Sequence, residues 1–471
     1  MTSSVVIVGA GLGGLASAAL LAKAGMQVTV VEKNSWVGGK SRRIHVEGQR
    51  IDTGPSLVTF PGVLERFFDR YDSAGPGQLA ARDIANLHLE RLPEVGRYFY
   101  RGDVTDLPVA PGHPWHDAWQ KFEAEHAPLG AAITDLLTTD PWAKSVMASA
   151  STLVRSYGKN LSTRAYLDAQ ADMPAGLRDI IAIHTLNAGV APDQTLAIFA
   201  TMSAVMADEG VFVPTGGVYE IALALHRLAE AAGATFLLDH QVTQVGRQYV
   251  VANGERITAD IVVSALDAGV LERLMGQRSP DPKNLSCSGV AVFTTLHENL
   301  PPDTVTHSVV LPDDPDDLFD SVLSRRFPTQ TMSFVNYYKT GHIYPNDKPT
   351  AAFLLAAPAT GQSATVDDPW VQAELQRAVD MMGIDATWSD LVSDYQVLHP
   401  EYFASFGASG GALYGAGRPW YRSGPFHTPG YRSMSKRWLW RVGASVHPGG
   451  GIPAVVGGAL IATARMMRAY L

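Results

Sequence analysis

A glycine-rich turn near the start of the chain constrains the fold more than any other feature of the sequence. Residues 9–14 have the sequence GAGLGG, which matches the spacing G-x-G-x-x-G. They follow a β-branched run at 5–8 and precede an alanine- and leucine-rich segment at 15–24, which ends before Gly25. A second β-branched run follows at 28–32. This order predicts a strand, a helix and a parallel strand, the beginning of an α/β fold.

The same turn predicts a dinucleotide site, because each glycine has a physical reason to be present. In this pattern Gly9 makes the tight turn, Gly11 lets the backbone approach a pyrophosphate, and Gly14 lets the helix pack on the sheet. The helix N-terminus adds unpaired N–H groups and the positive end of a dipole. Glu32, at the end of the second strand, can accept hydrogen bonds from both ribose hydroxyls. The alternative is a glycine-rich turn beside a surface glutamate.

A second glycine loop favours FAD over a nicotinamide cofactor. Residues 38–41 (GGKS) come soon after the ribose-binding carboxylate, and residues 52–55 (DTGP) follow a predicted hairpin. Two glycines here let the chain pass close to a second part of the ligand, and Lys40 can reach the pyrophosphate. A plain nicotinamide dehydrogenase does not need this loop. For Arg43 we instead expect a solvated basic surface.

A glycine and proline loop near the C-terminus is a further candidate site. Residues 443–453 have the sequence GASVHPGGGIP and precede an apolar segment that we expect to be helical. If the ligand there is the N1/C2 edge of a flavin, the helix N-terminus stabilises the reduced anion. His447 is a weak candidate for a catalytic base, since histidine titrates near neutral pH. We favour a structural role, in which a hydrogen bond from the ring fixes the loop.

Composition excludes several classes of protein. The chain has 471 residues, of which 46% are hydrophobic and 18% charged, so it is neither disordered nor a small disulfide scaffold. Its net charge of −9 argues against a generally basic nucleic-acid binder. Cys287 is the one cysteine, so we expect no disulfide, no cysteine metal cluster, and a small packed residue at that position. We expect no metal site, no signal peptide at residues 5–21 and no membrane-spanning helix.

Taken together, these blocks resemble the phytoene desaturase family of bacterial-type carotenoid desaturases, within the flavin amine oxidase superfamily. The residues that carry the resemblance are 5–32, 38–55, 214–217, 264–267, 411–415 and 447–453. The resemblance implies a Rossmann-like FAD-binding domain with an inserted mixed α+β substrate domain. It predicts a discontinuous FAD-binding domain at 1–75, 210–282 and 425–471. The substrate domain, with a helical part that could face a membrane, would take 76–209 and 283–424.

The family's pattern also implies which residues contact FAD. They are Gly9, Gly11, Leu12, Gly13, Gly14, Glu32, Lys33, Gly39, Lys40, Ser41, Gly54, Pro55, Val242, Gly443, Gly451 and Ile452. Val242 falls where the family's backbone approaches the adenine. Lys40 replaces an arginine that is common in the family, and this exchange is conservative only if the contact is not bidentate.

The resemblance implies an enzyme that oxidises C–C to C=C on a carotenoid polyene, with hydride transferred to FAD. Oxygen or a quinone would reoxidise the flavin. Because the substrate lives in lipid, we expect a cytoplasmic protein bound peripherally to the cytoplasmic face of the membrane. Two alternatives stay open. One is another flavin oxidoreductase of the superfamily, such as an amine oxidase, a polyene saturase or isomerase, or a desaturase of a non-carotenoid metabolite. The other is a non-enzymatic pathway scaffold.

One segment of the predicted helical part favours membrane contact. Residues 141–167 contain no acid and four cations, Lys144, Arg155, Lys159 and Arg164. Apolar residues recur there at helical spacing: Val146, Ala150, Leu153, Tyr157 and Leu161. An apolar stripe beside cations can lie in a headgroup layer. An ordinary amphipathic helix that faces the core is an equal alternative, and Gly158 weakens a continuous helix.

Overall fold

The computed structural model describes residues 3–279 and 282–471. The strands, in chain order, are β1 (Ser4–Val8), β2 (Gln27–Val31), β3 (Arg42–Val46), β4 (Gln49–Thr53), β5 (Leu89–Arg91), β6 (Gly96–Tyr100), β7 (Asp103–Leu107), β8 (Phe212–Pro214), β9 (Thr235–Leu237), β10 (Val242–Gly246), β11 (Tyr249–Ala252), β12 (Glu255–Thr258), β13 (Ile261–Ser264), β14 (Ser288–Leu296), β15 (His307–Val310), β16 (Ser333–Tyr338), β17 (Thr350–Ala357), β18 (Val392–Leu398) and β19 (Leu439–Arg441). The α-helices are α1 (Leu12–Lys23), α2 (Gly62–Ala74), α3 (Ala81–Ala85), α4 (His116–His126), α5 (Gly130–Thr138), α6 (Met147–Tyr157), α7 (Thr163–Asp168), α8 (Ala175–Ile183), α9 (Ile198–Glu209), α10 (Tyr219–Ala231), α11 (Ala268–Leu274), α12 (Pro315–Leu323), α13 (Pro369–Met381), α14 (Trp388–Leu391), α15 (Pro400–Ala404) and α16 (Ile452–Tyr470).

A five-stranded parallel sheet joins strands from three distant stretches of the chain. Its order is β19-β13-β1-β2-β9. The central strands are rich in valine and isoleucine because both faces of a parallel sheet are covered. The helix α1 begins three residues earlier than its composition predicts. Gly13 and Gly14 are helical although glycine is a poor helix former, because both are buried in close contact with neighbouring backbone.

Two smaller sheets are formed by residues 42–53 and 242–258. The strands β3 and β4 form the expected hairpin, with Glu47 and Gly48 at positive φ in the turn. The strands β10, β11 and β12 form an antiparallel sheet, and their apolar residues pack with those of β1 and β13 in one core cluster. The strand β12 was not predicted from the sequence, because it is short and mostly exposed.

A seven-stranded mixed sheet forms the second large layer. Its order is β18-β14-β17-β16-β15-β6-β7, and only β15 and β6 pair in parallel. The strand β7 forms from a polar stretch of sequence, Asp103–Leu107. Its polar composition hides an alternation in which Thr105 and Leu107 are buried and their neighbours are not.

The helices α4 to α9 lie between β7 and β8, as the sequence predicts, and they decide between the two orientations left open for the apolar stripe. Val146, Leu153 and Tyr157 are buried against the core, whereas Leu161 is 39% exposed. The helix α6 ends at Gly158, whose φ is +58°. Helical spacing identified an apolar face correctly, but it could not say what covers that face.

The helix α16 runs through the core beside α1. Among the described residues it is the single helix that is long and apolar enough to cross a membrane. Most of it is buried inside the protein, and core helices commonly have this length and composition. The domain boundaries drawn from the sequence stay a prediction.

Candidate cofactor-binding site

The first glycine turn, residues 9–14, is called the opening bend, and its glycines have different neighbours. Gly9 has a φ of +98°, and its N–H donates to the carbonyl of Val31 at 2.9 Å. A Cβ on Gly14 would lie 2.1 Å from the Gly9 oxygen, so only glycine can pack there. Gly11 has an ordinary φ of −68°, and a Cβ there would meet no described protein atom within 4 Å. Two glycines are therefore needed by the fold, whereas Gly11 borders open space.

The Glu32 carboxylate is buried beside the opening bend. Its Oε2 accepts a hydrogen bond from the Ala10 N–H at 2.8 Å. Its Oε1 accepts from the N–H and the Nδ2 of Asn34, at 3.0 and 2.8 Å. Asn34 was not predicted as a site residue, although an amide two residues after the acid could have suggested this local bond. These contacts fix the carboxylate in orientation and leave lone pairs for a ligand hydroxyl.

The last glycine loop, residues 443–451, is called the closing bend, and it touches the opening bend directly. A Cβ on Gly13 would lie 3.0 Å from both Cα and N of Gly443. The N–H of Val442 donates to the Ser264 carbonyl at 2.9 Å, which continues the pairing of β19 with β13. Added Cβ atoms on Gly449 and Gly451 would meet no described atom within 4 Å. The two ends of the chain thus form one glycine-lined region with open faces.

Two helices begin at these bends without capping side chains. The N-cap residues of α1 and α16 are Gly11 and Gly451, and neither helix has an acid in its first turn. The first N–H groups of each helix therefore have no side-chain acceptor, and each carries the positive end of a helix dipole. Such ends are suited to anionic groups.

The loop at residues 38–41 lies against the opening bend. The N–H of Gly38 donates to the Ala10 carbonyl at 2.7 Å, and Gly11 and Gly38 form an isolated β-bridge. A Cβ on Gly39 would lie 3.2 Å from the Cα of Gly11. Gly54 packs on the Lys40 carbonyl, with 2.9 Å between that oxygen and an added Cβ.

Lys40 connects this loop to a distant segment. Its Nζ donates to the carbonyls of Leu413 at 2.6 Å and Ala412 at 3.4 Å. Burial lowers the pKa of Lys40 to about 8, although the negative charge of Asp267 acts in the opposite direction. The ammonium thus lies inside the protein, bonded to these carbonyls and within the electrostatic influence of Asp267.

Arg43 corrects our expectation of a solvated basic residue. Its side chain is only 13% exposed and bonds Asp52 at 2.7 Å and Glu220 at 3.2 Å. It also donates to the carbonyl of Gly216, in the turn at residues 214–217. Asp52 additionally accepts from the Tyr219 N–H at 2.9 Å. Arg43 therefore joins the hairpin to the start of α10, and this pairing neutralises Asp52.

Several predicted contacts lie outside the two bends. The Lys33 Nζ donates to the Ser405 carbonyl at 2.7 Å, which directs it away from the bends. Ser41 and Ile452 are buried. Val242 begins β10, two residues after His240, whose N–H donates to the Glu32 carbonyl at 2.8 Å.

His447 lies in the closing bend without the hydrogen bond that we expected to fix the loop. Both ring nitrogens are buried, and neither makes a hydrogen bond of ordinary geometry within the described residues, although the backbone of Leu136 and Gly424 lies close enough to favour the charged ring. Burial lowers the pKa of His447 to about 4, so the ring is neutral at pH 7. Its nearest aromatic neighbour is Tyr431, with ring centroids 6.4 Å apart. The loop is held instead by contacts of the backbone with α16, where Gly458 leaves room for the His447 carbonyl.

A small cavity of about 20 Å³, enough for about one water molecule, adjoins the loop at residues 54–56, and we call it the loop–sheet cavity. Gly54 and Pro55, both predicted contacts, line it on one side, and strands β14, β16 and β17 line the other.

Elsewhere in the protein, Cys287 is buried, which raises its pKa to about 12 and fits the predicted packed residue. Within the described parts of the chain, no group of three or more His, Cys, Asp or Glu side chains could hold a metal.

Comparison with known proteins gives consistent results. Residues 12–342 match the family model described as flavin containing amine oxidoreductase. A zeta-carotene-forming phytoene desaturase of Myxococcus xanthus is 27% identical, over 98% of this chain and 93% of that protein. A hydroxyneurosporene desaturase of Rubrivivax gelatinosus is 29% identical, over 99% and 93%.

Solved structures also resemble this chain. A wild-type putrescine oxidase bound to putrescine has a TM-score of 0.66 and 16% identity, over 100% of this chain and 99% of that one. A cyclohexylamine oxidase of Brevibacterium oxydans has a TM-score of 0.63 and 15% identity, with the same coverage. These likenesses confirm the predicted fold class, a Rossmann-like part with an inserted mixed α+β part.

Proposed function

The chain belongs to the flavin containing amine oxidoreductase family, and on that premise we propose that it is an FAD-dependent desaturase of a carotenoid polyene. Its cofactor is FAD. The observation that carries the proposal is the contact between the opening and closing bends, together with relatives named as carotenoid desaturases over nearly the whole chain. The reaction removes two hydrogens from adjacent carbons, one as hydride and one as a proton, and leaves a C=C bond.

The residues present suit FAD. The open faces of Gly11, Gly449 and Gly451 leave space for a ligand next to backbone N–H groups. In our proposal the Glu32 carboxylate accepts hydrogen bonds from the ribose hydroxyls. The uncapped N–H groups of α1 hold the pyrophosphate, with the Lys40 ammonium close by.

The chemistry divides between cofactor and protein. When bound, FAD supplies the two-electron acceptor for a hydride from an allylic carbon. The uncapped end of α16 would stabilise negative charge on the bound flavin ring. Loss of the hydride leaves a delocalised cation on the polyene, which is acidic enough to release a proton without a strong base. His447 therefore need not act as a base, and we assign no other residue to that role.

The oxidised cofactor must be regenerated, and we propose oxygen or a quinone as the electron acceptor. The two are distinguished by mixing the reduced enzyme with buffer containing oxygen or with a soluble quinone under nitrogen. Recovery of flavin absorbance in one mixture and not in the other identifies the acceptor.

We also propose peripheral binding to the cytoplasmic face of the membrane through a patch that shares only Leu161 with the predicted stripe. This membrane patch consists of Trp142, Met147, Val154 and Leu161, which are 68%, 62%, 60% and 39% exposed. The cations Lys144, Arg155 and Lys159 surround it, and none of them forms an ion pair with a described carboxylate. Arg164 is committed to Asp316 and is left out. Exposed apolar side chains among unpaired cations suit an anionic lipid surface.

Anaerobic mixing with a long polyene tests the function. We expect the flavin absorbance to bleach while the polyene absorption moves to longer wavelength, with a mass loss of one hydrogen pair per step. Bleaching by an amine, with no change in the polyene, would instead indicate an amine oxidase. A purified protein that is colourless and gains no thermal stability from FAD would indicate a scaffold.

Liposome sedimentation tests the membrane patch. Reversal of its three cations (K144E, R155E and K159E) is expected to release the protein from anionic vesicles. Reversal of three exposed cations elsewhere (R278E, K283E and K339E) gives the same change in net charge and serves as the control. Equal sedimentation of the two variants would show that the patch does not bind the membrane.

A further inference from the structure

The last part of the chain differs in charge from the rest of the protein. Residues 402–471 contain eight lysine and arginine residues and no aspartate or glutamate, although the whole chain has a net charge of −9. Two of the eight, Arg465 and Arg468, pair with Asp140. Four others lie within residues 420–437, which we call the basic strap: Arg422, Arg432, Lys436 and Arg437. None of these four forms an ion pair with a carboxylate in the described part of the chain.

The basic strap exposes large apolar side chains among its cations. Tyr421, Phe426 and Met434 are 59%, 65% and 98% exposed. The membrane patch is another place where exposed side chains of this size cluster. Apolar side chains that cluster at a surface are typical of a site that binds a partner. The unpaired cations beside them indicate that this partner is negatively charged.

The inner side of the basic strap is bonded to the closing bend and to β19. The Nε2 of His427 donates to the Ser445 carbonyl at 3.1 Å. The carbonyl of Tyr431 accepts from the Arg441 N–H at 2.7 Å. His427 and Tyr431 are both buried. The strap therefore has one side on the protein and another side in solvent.

The basic strap is also connected to the membrane patch. The guanidinium of Arg465 lies 5.1 Å from the centroid of the Tyr431 ring and bonds both carboxylate oxygens of Asp140, at 2.7 and 2.6 Å. The Oδ1 of Asp140 also accepts from the N–H of Trp142 at 3.0 Å, and Trp142 belongs to the patch. Three contacts thus join the strap to the patch, so the two surfaces are neighbours.

We propose that the outer side of the basic strap binds the headgroup layer of an anionic membrane, next to the membrane patch. Unpaired cations attract anionic headgroups, and tyrosine, phenylalanine and methionine side chains can enter the interface. The inference rests on the proposed function, in which the substrate comes from lipid. It adds a second anchor and brings the closing bend, to which the strap is bonded, to the membrane side of the protein.

A dye attached to the basic strap tests the contact locally. Cys287 is buried, so F426C supplies the one accessible thiol for a bimane label. The vesicles contain phosphatidylcholine and about one third phosphatidylglycerol, with brominated acyl chains that quench a dye at the bilayer. We expect the label at position 426 to be quenched by about twofold or more. The control is the same label in Y395C, another exposed position on β18, which should stay unquenched.

Charge reversal measures how much the basic strap contributes to binding. Each lysine or arginine near an anionic surface strengthens binding by about fivefold, so R422E, K436E and R437E together should weaken sedimentation with these vesicles by about 100-fold or more. R50E, R247E and K339E together give the same change in net charge at exposed positions outside the strap. This control variant should bind more tightly than the strap variant.

Three results would overturn the inference. They are failure of the wild type to bind the vesicles, a label at position 426 that is not quenched, and equal sedimentation of the two triple variants. Binding of a DNA duplex that the strap reversal abolishes, without quenching on vesicles, would assign the strap to a nucleic acid and would also overturn it.

The inference and the proposed function can fail separately. If the label at position 426 is quenched but no polyene bleaches the flavin, the proposed function fails while this inference stands. If a polyene in detergent bleaches the flavin and the label is not quenched by vesicles, the inference fails while the proposed function stands.

Discussion

The opening and closing bends are both glycine-rich turns that lead into an uncapped helix, but they are supported differently. The opening bend follows β1, which lies between β13 and β2 in the parallel sheet. Gly14 is packed so tightly on the Gly9 carbonyl that no side chain fits. The closing bend follows β19, a short strand at the edge of the same sheet. Two of its last glycines, Gly449 and Gly451, face open space. The opening bend also has a fixed carboxylate, Glu32, whereas the closing bend has only the neutral ring of His447.

This difference gives the two bends different roles: the opening bend binds the cofactor, and the closing bend adjusts the reactivity of its ring. A rigid turn with a preoriented carboxylate provides affinity and selectivity for the adenosine and pyrophosphate part of a dinucleotide. The closing bend lies at the positive end of the α16 dipole and carries no charged side chain. It can therefore stabilise negative charge on the flavin ring without placing a full positive charge beside it. Substitutions in the opening bend should therefore reduce FAD retention, and those near His447 should have small effects.

The largest expected effect is on folding and concerns Gly14. Gly14→Ala places a Cβ 2.1 Å from the Gly9 oxygen, so the β1–α1 unit must move apart. We expect a loss of about 3 kcal/mol or more in the free energy of unfolding, measured by thermal or denaturant unfolding. Gly11→Ala, where the added Cβ meets no described atom, should stay within about 0.5 kcal/mol of the wild type. Equal losses in the two variants would show that the bend is not packed as described.

The next effect is on affinity and concerns Glu32. Glu32→Gln keeps the shape but removes the charge from the hydrogen bonds proposed for the ribose hydroxyls. We expect FAD to bind about 10- to 100-fold more weakly, as measured by titration of the apoprotein. Asn34→Ala, which removes one neighbour of the carboxylate but not the carboxylate, should have a smaller effect. An unchanged affinity in Glu32→Gln would remove this residue from the site.

A moderate effect on pH dependence is expected at Lys40. Its pKa of about 8 lies below the unperturbed value, so the free protein loses this charge as pH rises through 8. A bound pyrophosphate favours the charged form, so binding above that pH takes up a proton. The FAD dissociation constant should then rise by up to about tenfold per pH unit. Lys40→Arg stays charged and should abolish this rise, and identical pH profiles in the two proteins would contradict the proposed contact.

The smallest effect is expected at His447. His447→Leu removes two unpaired ring nitrogens, so the free energy of unfolding at pH 7 should change by about 1 kcal/mol or less and kcat by about threefold or less. A loss of about 100-fold or more in kcat would instead identify a general base.

The same residue predicts a pH dependence of stability. Because the pKa of His447 is about 4 in the folded protein and higher in the unfolded chain, wild-type stability should fall as pH drops from about 6.5 to about 4. The variant should show less of this decline.

Local patterns predicted the opening bend well because everything that forms it lies within residues 5–32. The spacing of its glycines and the position of Glu32 follow from one β-α-β unit. Other contacts depend on residues far away in the chain. The Lys40 ammonium is bonded by a carbonyl 373 positions away, and Arg43 pairs with an acid 177 positions away. No local pattern could have indicated these partners.

The same limit explains why the sequence left two orientations open for the apolar stripe. Helical periodicity located an apolar face but could not tell that the rest of the protein covers it. The exposed residues Met147 and Val154 lie seven positions apart on a neighbouring side of the helix, a repeat that the stronger apolar stripe obscured.

Whether the two bends enclose one FAD is decided by titrating FAD into the apoproteins of the wild type and Gly11→Val. Gly11 has a φ that valine can adopt and an open face, so the variant should fold with nearly unchanged stability. If the bends share one FAD, the wild type binds one equivalent and turns yellow, while the folded variant binds at least about 100-fold more weakly. A folded Gly11→Val protein that binds FAD as tightly as the wild type would contradict this site.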